Sequence, residues 1–363
     1  MTKSIKQTIQ SKHEVVTSVG IDLGDRSSEY VVFGLSGAPV ERGKVATTPG
    51  ELESLMKRLA PAVIAIEVGT HSPWVSRLIE ANGHRAIVGN GRKVALISGN
   101  KRKNNRIDAE MLGRLARVDE ELLFPIAHRS EAAQRDLAIL RAREVAVRTR
   151  TRLINHVRGA SKAIGKQLSR CSAEAFAGRC LKELPAVLVD ALGPLVKEIA
   201  SLVKLIRVYD KTIDKMAGRY PDAKKLLQVR GVGALTAMAY VLTIDRAGRF
   251  SRSRAVGAYL GLVPGSDDTG DMHVQKRITR EGDVFLRRLM VSSAQYIMGP
   301  FGKDCDLRRH GMGIAARGGK NAKKRAVVAV ARKLAVLLHK LWTSEVPYDP
   351  LFNTKQHEQQ AAA

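Results

Sequence analysis

The stretch Val15-Val-Thr-Ser-Val-Gly-Ile-Asp22 decides the fold. An apolar, β-branched run ends in a carboxylate, and the turn Leu23-Gly24-Asp25 follows at once. Tyr30 to Leu35 and Gly43 to Thr47 read as second and third strands, with turns at Gly24-Asp25 and Ser36-Gly37. Thr48-Pro49-Gly50-Glu51 reads as a helix start with a reach-back acid, ahead of Leu52, Leu55, Met56 and Leu59 at helical spacing. Ala62 to Ile66, AVIAI, is a continuous apolar run of the kind buried on both faces of a sheet, and it ends in Glu67. A helix over Pro73 to Asn82 and a strand over His84 to Val88 complete the series. Three meandering strands followed by β-α-β-α units predict a mixed α/β sheet with helices on its faces.

Asp22 and Glu67 both fall at carboxyl ends of strands, the edge where open α/β sheets place their sites. The segment Lys101 to Leu115, KRKNNRIDAEMLGRL, adds Asp108 one turn into a helix, with Asn105 three residues earlier on the same face. Three acids converging there could hold a pair of Mg²⁺ ions about 4 Å apart and activate an in-line attack on a phosphodiester. Each acid also has a plain reading: Asp22 as a turn residue, and Asp108 as a first-turn acid favoured by the helix dipole.

Composition narrows the partner. The 363 residues, enough for two or three domains, carry 61 Lys+Arg against 35 Asp+Glu, a net charge of +26 and a pI near 10.3. Such an excess calls for a polyanion, and nucleic acid bound in a salt-sensitive way fits best. The competing polyanion, a membrane surface, has no spanning segment to support it, and the polar start MTKSIKQTIQSKHE is no signal peptide. Cys171, Cys180 and Cys305 are too few and scattered for a disulfide framework or zinc site, which suits a reducing cytoplasm, and a nucleic-acid partner there would place the protein on the nucleoid. Aromatics at 4% argue against base stacking as the main mode of binding.

Ser130 to about Lys166 reads as a long basic helix with Leu137, Leu140, Glu144, Val147, Thr151 and Ile154 on one seam, and Arg141 and Arg148 among the arginines around it. A second helix, Pro194 to Met216, repeats the spacing through Ile199, Leu202, Ile206, Tyr209 and Ile213. The pair predicts an antiparallel coiled coil, closed on itself or shared with another subunit, joined by shorter helices around Cys171 to Leu192. The arginines are either a solvated face or a nucleic-acid stripe, and the net charge favours the stripe. Leu226 to Ile244 has the helix-hairpin-helix pattern around Arg230, Gly231 and Gly233, where backbone amides can grip a phosphate; the alternative is a plain αα-hairpin. Val263 to Gly282 reads as a long polar loop, functional by its length, with Arg277 and Arg280 near its end. A helix over Asp283 to Met298 carries Arg287 and Arg288. Arg317 to Trp342 opens as a basic glycine-rich turn with Lys320, Lys323 and Lys324 and continues as an apolar helix. Arg102 and Lys103 join these basic candidates, and the tail after Asp349 reads as loose. The divisions are therefore 14–125, 126–220, 221–350 and 351–363.

Over nearly its whole length the chain resembles the transposases of insertion-sequence family 110, the RNA-guided (bridge RNA) recombinases related to the Piv invertases. The resemblance rests on GIDLG (Gly20 to Gly24), IEVGTH (Ile66 to His71), RKNNRIDAEML (Arg102 to Leu112), VRGVGALTA (Val229 to Ala237), AYLGLVP (Ala258 to Pro264) and GGKNAKKRAVVAVARKLAVLLHKLW (Gly318 to Trp342). It implies a RuvC-like (RNase H-type) N-terminal domain with a D-E-D-D acid set, a coiled coil, and a mainly helical C-terminal transposase domain with a serine nucleophile. It further implies Mg²⁺, a homo-oligomer of two to four chains, and a structured noncoding RNA that pairs with target and donor DNA. Residue by residue, the acids fall on Asp22, Glu67 and Asp108, the third position on Asn105, and the serine on Thr269. The loop glycine falls on Arg277. Asn105 still offers an oxygen but removes a charge, and Thr269 keeps a hydroxyl behind a stiffer, more crowded side chain. The resemblance thus implies either a recombinase with a threonine nucleophile or a catalytically impaired relative that still binds RNA and DNA.

Overall fold

The computed structural model describes residues 18–91, 105–269 and 272–356. Val15 to Thr17, Arg102 and Lys103 lie outside the described residues. The chain divides into two compact units, Met1–His128 and Arg129–Ala363.

In the first unit β1 (Ser18–Asp22), β2 (Ser27–Phe33), β3 (Pro39–Ala46), β4 (Val63–Glu67) and β5 (Arg85–Gly89) form one sheet in the order β3-β2-β1-β4-β5. The first three strands meander antiparallel, while β4 and β5 run parallel to β1. The expected mixed sheet is therefore present, and its order fits an RNase H-like domain. The parallel pairs need crossovers, supplied by α1 (Pro49–Arg58) and α2 (Ser72–Ala81). Strand alternation sends Val19, Ile21, Ile64 and Ile66 to one face, where they pack with Leu52 and Met56 of α1 and Val75 and Ile79 of α2. The other face receives α3 (Asn105–Val118), whose Leu112, Leu115 and Ala116 cover Ala65 and Ile87. Thr48 does precede α1, but its side chain makes no capping bond, and its N–H donates to the Ala46 carbonyl (2.8 Å). The expected reach-back from Glu51 is thus redundant, and Pro49 sets the helix entry instead.

A pair of glycines fixes α3 on the sheet. A Cβ on Gly20 would overlap the Ala109 carbonyl oxygen and the Gly113 nitrogen, and one on Gly113 would overlap the Phe33 ring. With no side chain at either position, strand and helix backbones meet directly. Ser18 Oγ donates to the Gly113 carbonyl (3.1 Å). As β1 advances from Ser18 to Gly20, its contacts on α3 step back from Gly113 toward Ala109, so the first turn of α3 lies toward the carboxyl end of β1. On the outer side of α3, Glu110 accepts from Arg42 of β3 (2.6 Å) and from Arg114 (2.8 Å), which hold its carboxyl below the usual range.

The second unit is mainly helical. Its α4 (Glu131–Ala163) is capped by Ser130, whose hydroxyl accepts from the Ala133 N–H (3.2 Å). After α5 (Phe176–Glu183), α6 (Ala186–Ala217) returns along α4. Leu137 and Leu140 share a core with Ile213 and Met216, Ala146 packs with Leu202 and Ile206, and Val157 with Val196 and Ile199, so the two helices are antiparallel. Two details differ from the sequence reading. Beyond Leu140 the buried positions move to Ala146, Arg150, Ile154 and Val157, leaving Thr151 exposed, because a 3.6-residue helix drifts off a strict heptad. And α6 begins at Ala186 and runs through Pro194, whose lost backbone bond is outweighed by burial of Leu192, Val196 and Ile199 on either side.

The remaining elements are α7 (Pro221–Leu226), α8 (Ala234–Ile244), α9 (Arg254–Tyr259), β6 (Pro264–Thr269), β7 (Met272–Ile278), α10 (Val284–Met298), α11 (Asp306–Ala316) and α12 (Ala322–Thr343). The apolar α8 is the centre of this core, and Tyr240 Oη donates to the Ala335 carbonyl of α12 (2.6 Å). The stretch Val263 to Gly282, expected as a loop, contains the antiparallel pair β6–β7. Its Gly, Ser and Asp residues hide a strand that is held by pairing rather than by propensity. In the described part of the tail, Asp306 accepts from the Asn353 N–H (2.7 Å) and the Thr354 hydroxyl (2.7 Å), fastening those two residues to α11 where the sequence suggests a loose segment.

Gly20→Ala should destabilise the first unit by about 1–3 kcal/mol in chemical denaturation, since neither backbone can yield. Gly50→Ala, in a position with nothing within 4 Å of a new Cβ, should be neutral or mildly stabilising. In the second unit Tyr220 donates to Asp136 (2.6 Å), and burial together with that bond pushes its hydroxyl up to about 12. The unfolded tyrosine ionises near 10, so its contribution is intact below about pH 10 and is lost as pH rises toward 12. Tyr220→Phe should flatten that alkaline limb in a pH series of thermal melts.

Candidate active site

The register of β1 and β4 pairs Ile21 with Ile66, which puts Asp22 and Glu67 at the next step on adjacent strands, about 4.8 Å apart in backbone spacing. Asp22 shares its face with Gly20, and Glu67 with Ala65, so both side chains leave the sheet on the α3 side. Both are half-buried. Asp108, also half-buried, stands in the first turn of α3, and Asn105 opens that helix, exposed. The structure therefore carries the four positions to one edge of one sheet. Gly91 completes the edge: a Cβ there would overlap the Glu67 carboxylate, so the acid rests against a bare backbone. Nearby, His71 Nε2 lies 3.5 Å from Asp25, and His71 Nδ1 accepts from Trp74 Nε1 (3.1 Å), so the neutral ring carries its proton on Nε2.

Among the described residues no three acidic, histidine or cysteine groups stand close enough to enclose one metal ion. The donor set still suits Mg²⁺, which keeps much of its water and takes one or two carboxylates plus substrate phosphate in preference to an all-protein cage.

Thr269 ends β6, its Cα paired with that of Met272 at the far end of the hairpin. The near end is clamped. Gly261 and Gly282 both have positive φ (62° and 78°), and a Cβ on either would overlap backbone of the other arm. Arg287, buried, donates to the Leu260 carbonyl (3.0 Å) and the Glu281 carbonyl (2.7 Å), and burial lowers its pKa. Its guanidinium is thus committed beneath the hairpin, away from the surface expected for it. The sequence reading missed this clamp, as it missed Gly91 and the Gly20–Gly113 contact. An isolated glycine inside a strand such as GIDLG was the available signal for the last.

The other basic candidates divide. Arg141 pairs with Asp283 (2.8 Å) and Arg288 with Glu144 (2.7 Å), so both also tie α4 to the start of α10. Arg148, Arg230, Arg277, Arg280, Lys320, Lys323 and Lys324 are exposed. Gly233 precedes α8 as its N-cap, and Gly231 (φ 90°) is pressed against Tyr296 and Ile297 of α10.

Residues 19–164 match the profile of the IS110 DEDD transposases, and residues 223–304 match that of the transposase IS116/IS110/IS902 family. The chain belongs to the IS110 family of transposases. This IS110-family transposase is 27% identical over 284 residues to the transposase for insertion sequence element IS1111A of Coxiella burnetii, covering 73% of this chain and 75% of that one. It is 26% identical over 287 residues to the IS1328 transposase of Yersinia enterocolitica, covering 78% and 84%. A probable family 20 transposase of Pseudomonas aeruginosa is 25% identical over 309 residues, covering 83% and 89%. A transposase cleaves and rejoins DNA, so DNA is a partner of this protein. Among the described residues no helix is long and apolar enough to cross a membrane.

Gly91→Ala should push the Glu67 carboxylate off its seat and cut DNA strand cleavage by this transposase at least about tenfold, while circular dichroism and thermal melts stay near wild type. Unchanged cleavage would show that the seating of Glu67 is irrelevant to the chemistry.

Proposed function

We propose that this transposase is an RNA-guided recombinase that breaks and rejoins DNA strands through a covalent bond to Thr269. The observation that carries the proposal is the placement of Asp22 and Glu67 on adjacent parallel strands, one face, one edge, with Asp108 and Asn105 at the helix turn packed above. When bound there, Mg²⁺ would draw charge from a phosphodiester oxygen and lower the pKa of an attacking hydroxyl. Asp22 and Glu67 would hold the ion, with Asp108 and the Asn105 amide oxygen completing its polar surroundings. The Thr269 hydroxyl would give up its proton as its oxygen attacks phosphorus, the P–O bond to one deoxyribose oxygen would break and that oxygen would take up a proton, and the phosphothreonine ester would conserve the energy for rejoining. The clamp of Arg287, Gly261 and Gly282 fixes the base of the hairpin that carries Thr269. Exposed cations from Arg148 to Lys324 suit the phosphates of target DNA, donor DNA and a structured guide RNA. The antiparallel α4–α6 pair acts as the coiled coil through which chains assemble as dimers or tetramers.

One observation favours a second reading. Asn105 and Thr269 stand where the family pattern has Asp and Ser, which suits a relative that keeps nucleic-acid binding and has lost cleavage.

The decisive assay incubates the protein with its associated RNA, matched DNA and Mg²⁺ and resolves the products on a denaturing gel. A protein–DNA adduct that requires the RNA and vanishes in Thr269→Ala, Asp22→Ala and Glu67→Ala is the expected result. An adduct seen only after Asn105→Asp or Thr269→Ser would establish the second reading instead.

A further inference from the structure

A large cleft lies wholly within the second unit, between β7, α11, α12 and the segment that follows α12. At about 1770 Å³ it exceeds the ~300–1,000 Å³ of sites built for small molecules. One long face of α12 forms its wall. Cations stand on that face at Lys324, Arg325, Arg332, Lys333 and Lys340. Between them, half-buried, lie Val328, Val336 and Leu337. The face thus alternates a charged layer and an aliphatic layer every four residues, or roughly every 6 Å of helix.

Arg277 of β7 and Arg280 just after it also line the cleft. The two acids in the cleft are already engaged: Asp306 accepts from Asn353 and Thr354, and Asp349 from Lys355 (2.8 Å). At the rim Phe352, 44% exposed, offers a ring face with Lys340 Nζ 5.6 Å from its centroid. Burial and the neighbouring cations of Lys333 and Arg317 push His310 below its ordinary value, as a positive field requires.

We propose that this cleft binds a single nucleic-acid strand with unpaired bases. The strand's phosphates would meet the cationic layers, and its bases would lie on the aliphatic layers and Phe352. A duplex keeps the faces of its bases stacked inside, so Val328, Val336 and Leu337 would find no base face to lie against. An unpaired strand alternates charge and apolar ring along its length, as the helix face does. Because β7 lines the cleft, a strand held there runs beside the hairpin that ends in Thr269. The inference rests on the nucleic-acid role proposed above and assigns it a place and a preferred form.

The test is fluorescence anisotropy on the full chain in EDTA, with labelled twelve-nucleotide oligo-dT, the matching oligo-U, and a mixed-sequence twenty-base-pair duplex. Arg332→Glu/Lys333→Glu should weaken strand binding at least about tenfold and shallow its salt dependence by about two charges. Phe352→Ala should weaken it about fivefold and leave the duplex unchanged. Lys324→Gln/Lys333→Gln, both exposed, gives a milder loss on the same strand if the charge reversal melts early. A loss confined to oligo-dT assigns the cleft to DNA, and one confined to oligo-U assigns it to RNA. Strand affinity that survives both double variants overturns the proposal, as does a duplex affinity that falls by the same factor while Phe352→Ala changes nothing. Adduct formation is read separately: a Thr269-dependent adduct with an indifferent cleft sinks only this inference, and a responsive cleft without an adduct sinks only the covalent chemistry.

Discussion

The contact on which the first unit depends is backbone against backbone, Gly20 of β1 on Ala109 and Gly113 of α3. Steric repulsion rises within a fraction of an ångström, so a helix pressed this closely is held in one register. That register decides which turn of α3 reaches the sheet edge. It brings up the turn with Asn105 and Asp108, while the in-register pairing of β1 with β4 brings Asp22 and Glu67 to the same place. The acids are thus positioned by what lies two residues and one helical turn away from them. Removing side chains at two points costs apolar burial, and the compensation is a helix that cannot slide.

The same device recurs in the second unit with different chemistry. Gly261 and Gly282 allow the two arms of the hairpin to cross, and Arg287 ties the crossing through two carbonyls. A buried guanidinium is expensive to desolvate, and hydrogen bonds to main-chain oxygens offset part of that cost. An arm that reads Pro-Gly-Ser-Asp-Asp-Thr has little intrinsic reason to be a strand. It is one because its base is fixed.

Charge carries the rest of the function. An excess of 26 positive charges would repel itself in a lone chain. The structure spends part of it internally: Arg141 on Asp283, Arg150 on Glu174 and Arg288 on Glu144. What remains includes a row along one face of α12, where aliphatic residues interrupt it at regular intervals. Sequence counting treats these arginines alike. Only their neighbours separate a structural ion pair from a cation offered to a polyanion.

Much could be read straight off the chain: the mixed sheet, the long helices, carboxylates that close two strands and a charge that calls for a polyanion. Each of these follows from local pattern: period-two and period-3.6 apolar spacing, a carboxylate closing an apolar strand, a large net charge. The sequence did not determine that Val263 to Gly282 holds two paired strands, that α6 passes through Pro194, or that residues near Asn353 are fastened to Asp306. Those depend on partners distant in the chain, whose contribution no local pattern records. Tertiary structure alone decided that Gly91 seats Glu67 and that Arg287 is buried beneath a hairpin. A glycine or an arginine carries no mark of what will be brought against it, and close packing assigns that role only once the chain has folded.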